Sequence, residues 1–202
     1  MNTDPITTLT SIVDAGSPDR FRDALDTVED MLDQGQKNIL LDYCMSQKRI
    51  EEMGLVLLAG ADPDVRRGNS KMPLLVEAVG RSQVEVALSL LVHGADANAV
   101  DIMGDAAVHF AARRNLPAVI GLLARNGADL SLRNHMGQDA FTLAALNGNT
   151  SIWHALQNEG VAPVDPDGLR RALPSLSQDM QGLVQNYLVE REVEPASRRF
   201  SR

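Results

Sequence analysis

The chain has 202 residues, 44% hydrophobic and 23% charged, so it can bury a sizeable core and is too apolar for wholesale disorder. Aromatic residues make up only 3%, which leaves Leu, Val, Ala, Ile and Met to build that core and favours helices over an all-β sandwich. Nineteen basic against twenty-seven acidic residues give a formal net charge of −8, a field that repels phosphate backbones and disfavours nucleic acid as a partner.

At the start of the chain, Met1 to Ile6 lack the basic and apolar regions of a secretory signal. No run approaches the roughly eighteen apolar residues of a membrane span. The expectation is a soluble cytoplasmic protein with no membrane partner; delivery by a non-classical secretion system would leave no mark of this kind. Ile6, Leu9, Ile12 and Val13 have helical spacing. A longer helix is predicted from Pro18 through Asp33, with Ser17 as N-cap, Gly35 as the stop, and Phe21, Leu25, Val28 and Leu32 on its apolar face. Residues 1–36 therefore read as an N-terminal helical cap, whose acidic face of Asp23, Asp26, Glu29, Asp30 and Asp33 reads as solvated. Asn38 to Leu58 follows as a degenerate helix pair, with Leu40, Leu41, Cys44 and Met45 on one stripe. Cys44, the sole cysteine, permits no internal disulfide or zinc cluster and reads as an inert core residue.

From here the sequence repeats. Gly60-Ala61-Asp62 recurs as Gly94-Ala95-Asp96 and Gly127-Ala128-Asp129, with a degenerate copy at Gly160-Val161-Ala162; the spacings are 34, 33 and 33 residues. The extra residue of the first interval is placed near Gly80-Arg81. A leucine-rich stretch precedes each glycine, as in Leu55 to Leu58 and Leu88 to Leu91. Alanine-bearing segments form a second register, including Ala78, Ala111-Ala112 and Ala144-Ala145. Each unit reads as a short helix, a polar break, an amphipathic helix closed by glycine, and an extended Asp-, Asn- and Gly-rich linker. One such pair cannot bury its apolar face alone, but stacked neighbours can. Beyond Pro163, Pro166 and Gly168, Ser175 with Gln178 forms a predicted capping box. It opens a helix carrying Leu176, Met180, Leu183, Val184, Tyr187 and Leu188. Residues 167–192 read as C-terminal capping helices and 193–202 as a disordered basic tail.

Asp101-Ile-Met-Gly104 followed by His109 and Ala111-Ala112 resembles the ankyrin-repeat pattern, with Ala106, Ala107 and Val108 where that family has Thr, Pro and Leu. Asn134 to Gly137 with Ala144-Ala145 and Gly148 matches the next copy, and Met72-Pro73-Leu74 keeps the Pro-Leu pair of the one before. The resemblance implies an all-α ankyrin-repeat solenoid of helix–turn–helix units over residues 37–166. It implies about four repeats, the first and last degenerate, with extra capping helices at both ends. His109 takes the family's loop-bracing position. The resemblance also implies noncatalytic protein–protein interaction, as an adaptor or scaffold, through a concave finger and inner-helix surface. Residues at those positions are Ile102, Met103, Asp105, Arg113 and Arg114 in one repeat, and His135, Met136, Gln138, Leu146 and Asn147 in the next. Met suits adaptable binding surfaces, and the two arginines form an expected basic patch in an acidic chain.

No P-loop, nucleophile elbow, H-E-x-x-H or Cys-x-x-Cys motif occurs, so no catalytic residue, metal or cofactor is expected. The partner is expected to be a protein, engaged by a monomer. Two rivals stand beside the adaptor reading: an effector or immunity-type inhibitor that blocks a specific enzyme, and an enzyme with an unrecognised site in the flanking helices.

Overall fold

The computed structural model describes residues 4–67 and 71–193. They fall into two compact units, Met1–Ala99 and Val100–Arg202. In the first unit the described elements are α1 (Pro5–Ala15), α2 (Pro18–Val28), α3 (Gln34–Ser46), α4 (Ile50–Leu58), the short strands β1 (Arg66–Arg67) and β2 (Met72–Pro73), α5 (Leu74–Gly80) and α6 (Val84–Val92). The second unit contains α7 (Ala107–Arg114), α8 (Pro117–Arg125), α9 (Ala140–Leu146), α10 (Thr150–Asn158), α11 (Pro166–Ala172) and α12 (Gln178–Val193).

The helices come in sequential pairs, and the pairs stack. In the first unit α1 packs on α2 and α3, α2 on α4, and α4 on both α3 and α6. In the second, α7, α9 and α11 form one row and α8, α10 and α12 the other. The terminal helices thus continue the two layers of their units. This is an all-α repeat solenoid, the fold class expected from the sequence.

The physical reason is the division of labour within each pair. Ala107, Ala111 and Ala112 on α7, and Ala140, Ala144 and Ala145 on α9, are buried small residues that let the inner row approach closely. Bulk comes from the outer row: Ile120 and Leu123 on α8, and Ile152, Trp153 and Leu156 on α10. Trp153 meets Phe141 edge-on at 4.8 Å between ring centroids and Tyr187 at 6.0 Å, linking α9, α10 and α12.

Three boundaries differ from the sequence reading. The helix expected over 18–33 ends at Val28, because a 3-10 turn (Glu29–Met31) and extended Leu32 intervene. Asp33 instead opens α3, accepting from the Gln36 N–H while Gln36 returns a bond to the Asp33 N–H. Gly35 therefore lies in the first turn of a helix and stops none. Ser17 does sit at the N-cap of α2, yet its side chain makes no capping bond. The capping box at Ser175 does not form: Ser175 lies in a 3-10 turn, its hydroxyl donating to the Ala172 carbonyl at 2.7 Å. α12 starts at Gln178, its first turn closed by the Gln181 N–H on the Ser177 carbonyl.

The extra residue of the 34-residue interval is not near Gly80-Arg81 either. Positive-φ residues close the inner-helix turns at Ser82, Asn115 and Gly148, spaced 33 apart, so the register is already regular there. The interval from Gly60 to Pro73, ahead of α5, is one residue longer than those from Gly94 to Ala106 and from Gly127 to Asp139. The insertion belongs to that linker. The tail beyond Val193 lies outside the described residues.

Leu123 is fully buried between the rows of the second unit. Leu123→Ala should cost about 2–5 kcal/mol in urea unfolding. A loss below about 0.5 kcal/mol, in the range of a surface change, would show that α8 does not pack in this register.

Candidate partner-binding surface

In the second unit two linker fingers precede the inner helices, at residues 101–105 and 134–138. Each is a tight turn: the Gly104 N–H donates to the Asp101 carbonyl and the Gly137 N–H to the Asn134 carbonyl. In both, one side-chain oxygen takes two backbone donors. Asp101 Oδ1 accepts from the N–H groups of Met103 and Asp105, at 2.8 and 2.9 Å. Asn134 Oδ1 accepts from Met136 and Gln138, both at 3.0 Å. The fingers are joined by a backbone bond from the His135 N–H to the Met103 carbonyl at 3.0 Å. Gly104 is required twice over: its φ is +73°, and a Cβ there would lie 2.7 Å from His135 Cδ2.

Beneath the tips sits Asp105, only 6% exposed. Its carboxylate accepts two bonds from the Arg113 guanidinium, at 2.7 and 3.1 Å, and one from the Asn134 amide at 2.9 Å. Arg113 also lies over the Phe110 ring, 5.5 Å from its centroid. Burial alone would raise the Asp105 carboxyl, but the hydrogen bonds from Arg113 and Asn134 and the Arg113 charge outweigh it and hold the group below its ordinary range.

His109 is wholly buried and braces the same frame. Its Nδ1 accepts from the Ala106 N–H at 2.9 Å, and its Nε2 bonds the Leu132 carbonyl at 3.0 Å. Those partners demand a neutral ring protonated on Nε2. Burial lowers its pKa, outweighing the nearby Asp105 charge.

The expected site residues consequently divide. Ile102, Met103, Met136 and Leu146 expose large apolar side chains, Met136 to 68%. Arg114, His135 and Asn147 are also exposed, and Gln138 is half-buried. Asp105 is placed inside the frame, out of reach of a partner. Arg113 is held by Asp105, so the basic patch expected from the arginine pair reduces to Arg114. Sequence reasoning missed Asp101 and Asn134 as the finger organisers and Asn149, whose amide donates to the Ala112 carbonyl at 2.7 Å and ties α10 to the end of α7. The 33-residue recurrence of an Asp or Asn three residues before glycine was the available signal for the first two.

Elsewhere, Cys44 is buried and its thiol is pushed up to about 12 by burial and the Glu52 charge, which disfavours a nucleophilic thiolate. Among the described residues no group of three or more His, Cys, Asp or Glu is gathered to hold a metal. No helix among them is long and apolar enough to cross a membrane.

The family described as "Ankyrin repeats (3 copies)" matches residues 40–134. The chain is 31% identical over 119 residues to the cyclin-dependent kinase 4 inhibitor B of Mus musculus, covering 58% of this chain and 90% of that protein. It is 33% identical over 105 residues to the cyclin-dependent kinase inhibitor 2A of Homo sapiens, covering 52% and 66% respectively. It is 37% identical over 84 residues to the B-cell lymphoma 3 protein homolog of Mus musculus, covering 42% of this chain but only 19% of that protein.

The His109 environment fixes a pH dependence. An unfolded histidine titrates near pH 6.5, whereas the folded ring must stay neutral to accept from Ala106. The unfolded state therefore binds more protons below that pH, and this contribution to stability, complete above about pH 6.5, is lost as pH falls toward the lowered folded value. Denaturant midpoints measured from pH 7.5 to 5 should fall more steeply for the wild type than for His109→Gln. Parallel curves would contradict the neutral brace.

Proposed function

The chain belongs to the ankyrin-repeat family, and we propose that it is a noncatalytic protein-binding module, an adaptor or scaffold, that docks its partner on the exposed finger and inner-helix residues of the second unit. The observation that supports this reading is the contrast within the fingers. The polar side chains of Asp101, Asp105 and Asn134 point inward and are satisfied by the frame, while Ile102, Met103 and Met136 are left in water. Folding gains little from apolar side chains held in solvent, whereas a binding surface gains from them. Methionine adapts its shape to a partner, and Arg114, with no ion pair to a described residue, supplies a single cationic anchor. The partner chemistry that fits is an apolar segment bearing one carboxylate.

A second reading is that docking blocks an enzyme. The names of two relatives favour it, since the chain spans most of one protein named as an inhibitor of cyclin-dependent kinase 4. The two readings differ in outcome and share a surface. Purified chain added to cyclin-dependent kinase 4 with its cyclin lowers substrate phosphorylation under the second reading and leaves it unchanged under the first.

Affinity purification with the wild type and with a Met103→Gln, Met136→Gln, Arg114→Glu variant tests the shared surface. A partner retained by the wild type should bind the variant at least tenfold more weakly, a loss of about 1.4 kcal/mol or more, with thermal unfolding nearly unchanged because the three side chains are exposed. Affinities within about twofold, roughly 0.4 kcal/mol, would remove the finger surface from the account.

A further inference from the structure

A different surface of the first unit carries a signal that the finger reading does not use. On α6, Val84, Leu88 and Val92 recur at i, i+4 and i+8 and so share one face, and all three are exposed, Val92 to 69%. The opposite face already holds Val86, Ala87, Leu90 and Leu91 in the core. The helix is apolar on both sides, whereas a surface helix ordinarily turns polar residues outward. Beside it, α4 packs on α6 and ends on Leu58, 75% exposed.

The repeat itself does not require this stripe. At the register of Val84, Leu88 and Val92, the next outer helix, α8, carries Pro117, Gly121 and Arg125. One repeat further on, α10 carries Thr150, His154 and Asn158. Three apolar residues facing water are therefore peculiar to α6, and core packing does not explain them.

Charge narrows what could cover the stripe. Residues 1–99 contain sixteen acidic and nine basic side chains, so this unit holds nearly all of the chain's net charge of −8. Exposed Glu51 and Glu85 stand in the first turns of α4 and α6, and exposed Asp62 and Asp96 follow their last turns. The basic groups of this region are otherwise engaged or few: Arg81 pairs with Glu77, and the Arg49 guanidinium lies against Gly16. The Lys37 ammonium is placed by Gly60, near the end of α4. A second copy would oppose like charge to like, and an anionic lipid surface would be repelled in the same way.

We propose that the outer face of α4 and α6 docks a cationic amphipathic helix of a partner protein. The partner's apolar residues at i, i+3, i+4 and i+7 lie along Leu58, Leu88 and Val92, and its flanking Lys or Arg side chains reach Glu51, Glu85, Asp62 and Asp96.

The test uses the full chain and three labelled peptides of about 15 residues, read by fluorescence anisotropy: a Leu/Lys amphipathic helix, the same pattern with Glu for Lys, and a scrambled Leu/Lys sequence. The wild type should bind the Leu/Lys helix at least tenfold more tightly than either control. Val84→Thr with Leu88→His and Val92→Asn installs the residues that α10 carries at that register, so the fold should persist by circular dichroism while affinity falls at least tenfold. Met103→Gln with Met136→Gln should leave this affinity unchanged, which separates the outcome from that of the finger surface. Equal binding by the triple variant, or by the Glu peptide, overturns the proposal. Sedimentation of the wild type as a dimer with the triple variant monomeric assigns the stripe to a second copy and overturns it as well. So does binding to phosphatidylserine-containing vesicles that the triple variant loses. Should the triple variant unfold, Glu51→Lys with Glu85→Lys decides: a tenfold loss for the Leu/Lys helix is expected, and unchanged binding overturns the proposal.

Discussion

One buried carboxylate governs the surface of the second unit. Asp105 can be withdrawn from water because three bonds, two from Arg113 and one from Asn134, satisfy it; without them its burial would be costly. Asn134 is at the same time the organiser of the following finger, so the bond it gives Asp105 fixes one finger against the other. His109 braces the backbone at Ala106 and Leu132, and the side chains of Asp101, Asp105 and Asn134 are turned inward. The apolar tips are exposed because the frame leaves them no other direction. Rigidity of this kind lowers the ordering cost of binding, which is how a frame made of short turns can serve recognition.

The first unit meets a similar demand with different chemistry. Arg67, on β1 ahead of α5, pairs with Asp42 and Glu77, and Glu77 also takes Arg81 at 2.8 Å. The ion pairs again lie where a linker enters an inner helix. Such a network fixes the direction of the chain more than it adds stability, since part of it is open to solvent. Its outer helices α4 and α6 turn Leu58, Leu88 and Val92 to water, whereas α8 and α10 of the second unit expose no large apolar side chain, so the same helix pair presents unlike faces.

Much of this was legible in the sequence. The 33-residue period identified the helix pairs, and helical spacing correctly marked Leu40, Leu41, Cys44 and Met45, or Met180, Val184 and Leu188, as buried. The finger positions Ile102, Met103 and Met136 were likewise visible, because linker residues between paired helices must project. What periodicity could not supply was choice between competing local signals. Ser17 read as a cap and Asp33 as the end of a helix, but it is Asp33 that has a Gln three residues on and closes a capping box. Ser175 and Ser177 both precede the last helix, and the one nearer the apolar run begins it. Charge pairing was also hidden: Arg113 and Arg114 are adjacent in sequence and look equivalent, yet α7 turns one onto Asp105 and the other to solvent. Arg113 lies eight positions after Asp105, a spacing that the helical i, i+3 and i, i+4 rule does not connect, since Asp105 closes the finger ahead of α7 and is not part of the helix.

Amide hydrogen exchange on Asp105→Asn, compared with the wild type, addresses the central claim most directly. Removing the charge while keeping the shape should release Arg113 and the Asn134 amide, so exchange at His135, Met136 and Gln138 should accelerate about tenfold for each 1.4 kcal/mol of local stability lost. Amides in α10 and α12 should keep their rates. Unchanged finger exchange, or acceleration spread evenly through the unit, would show that Asp105 does not hold the surface in place.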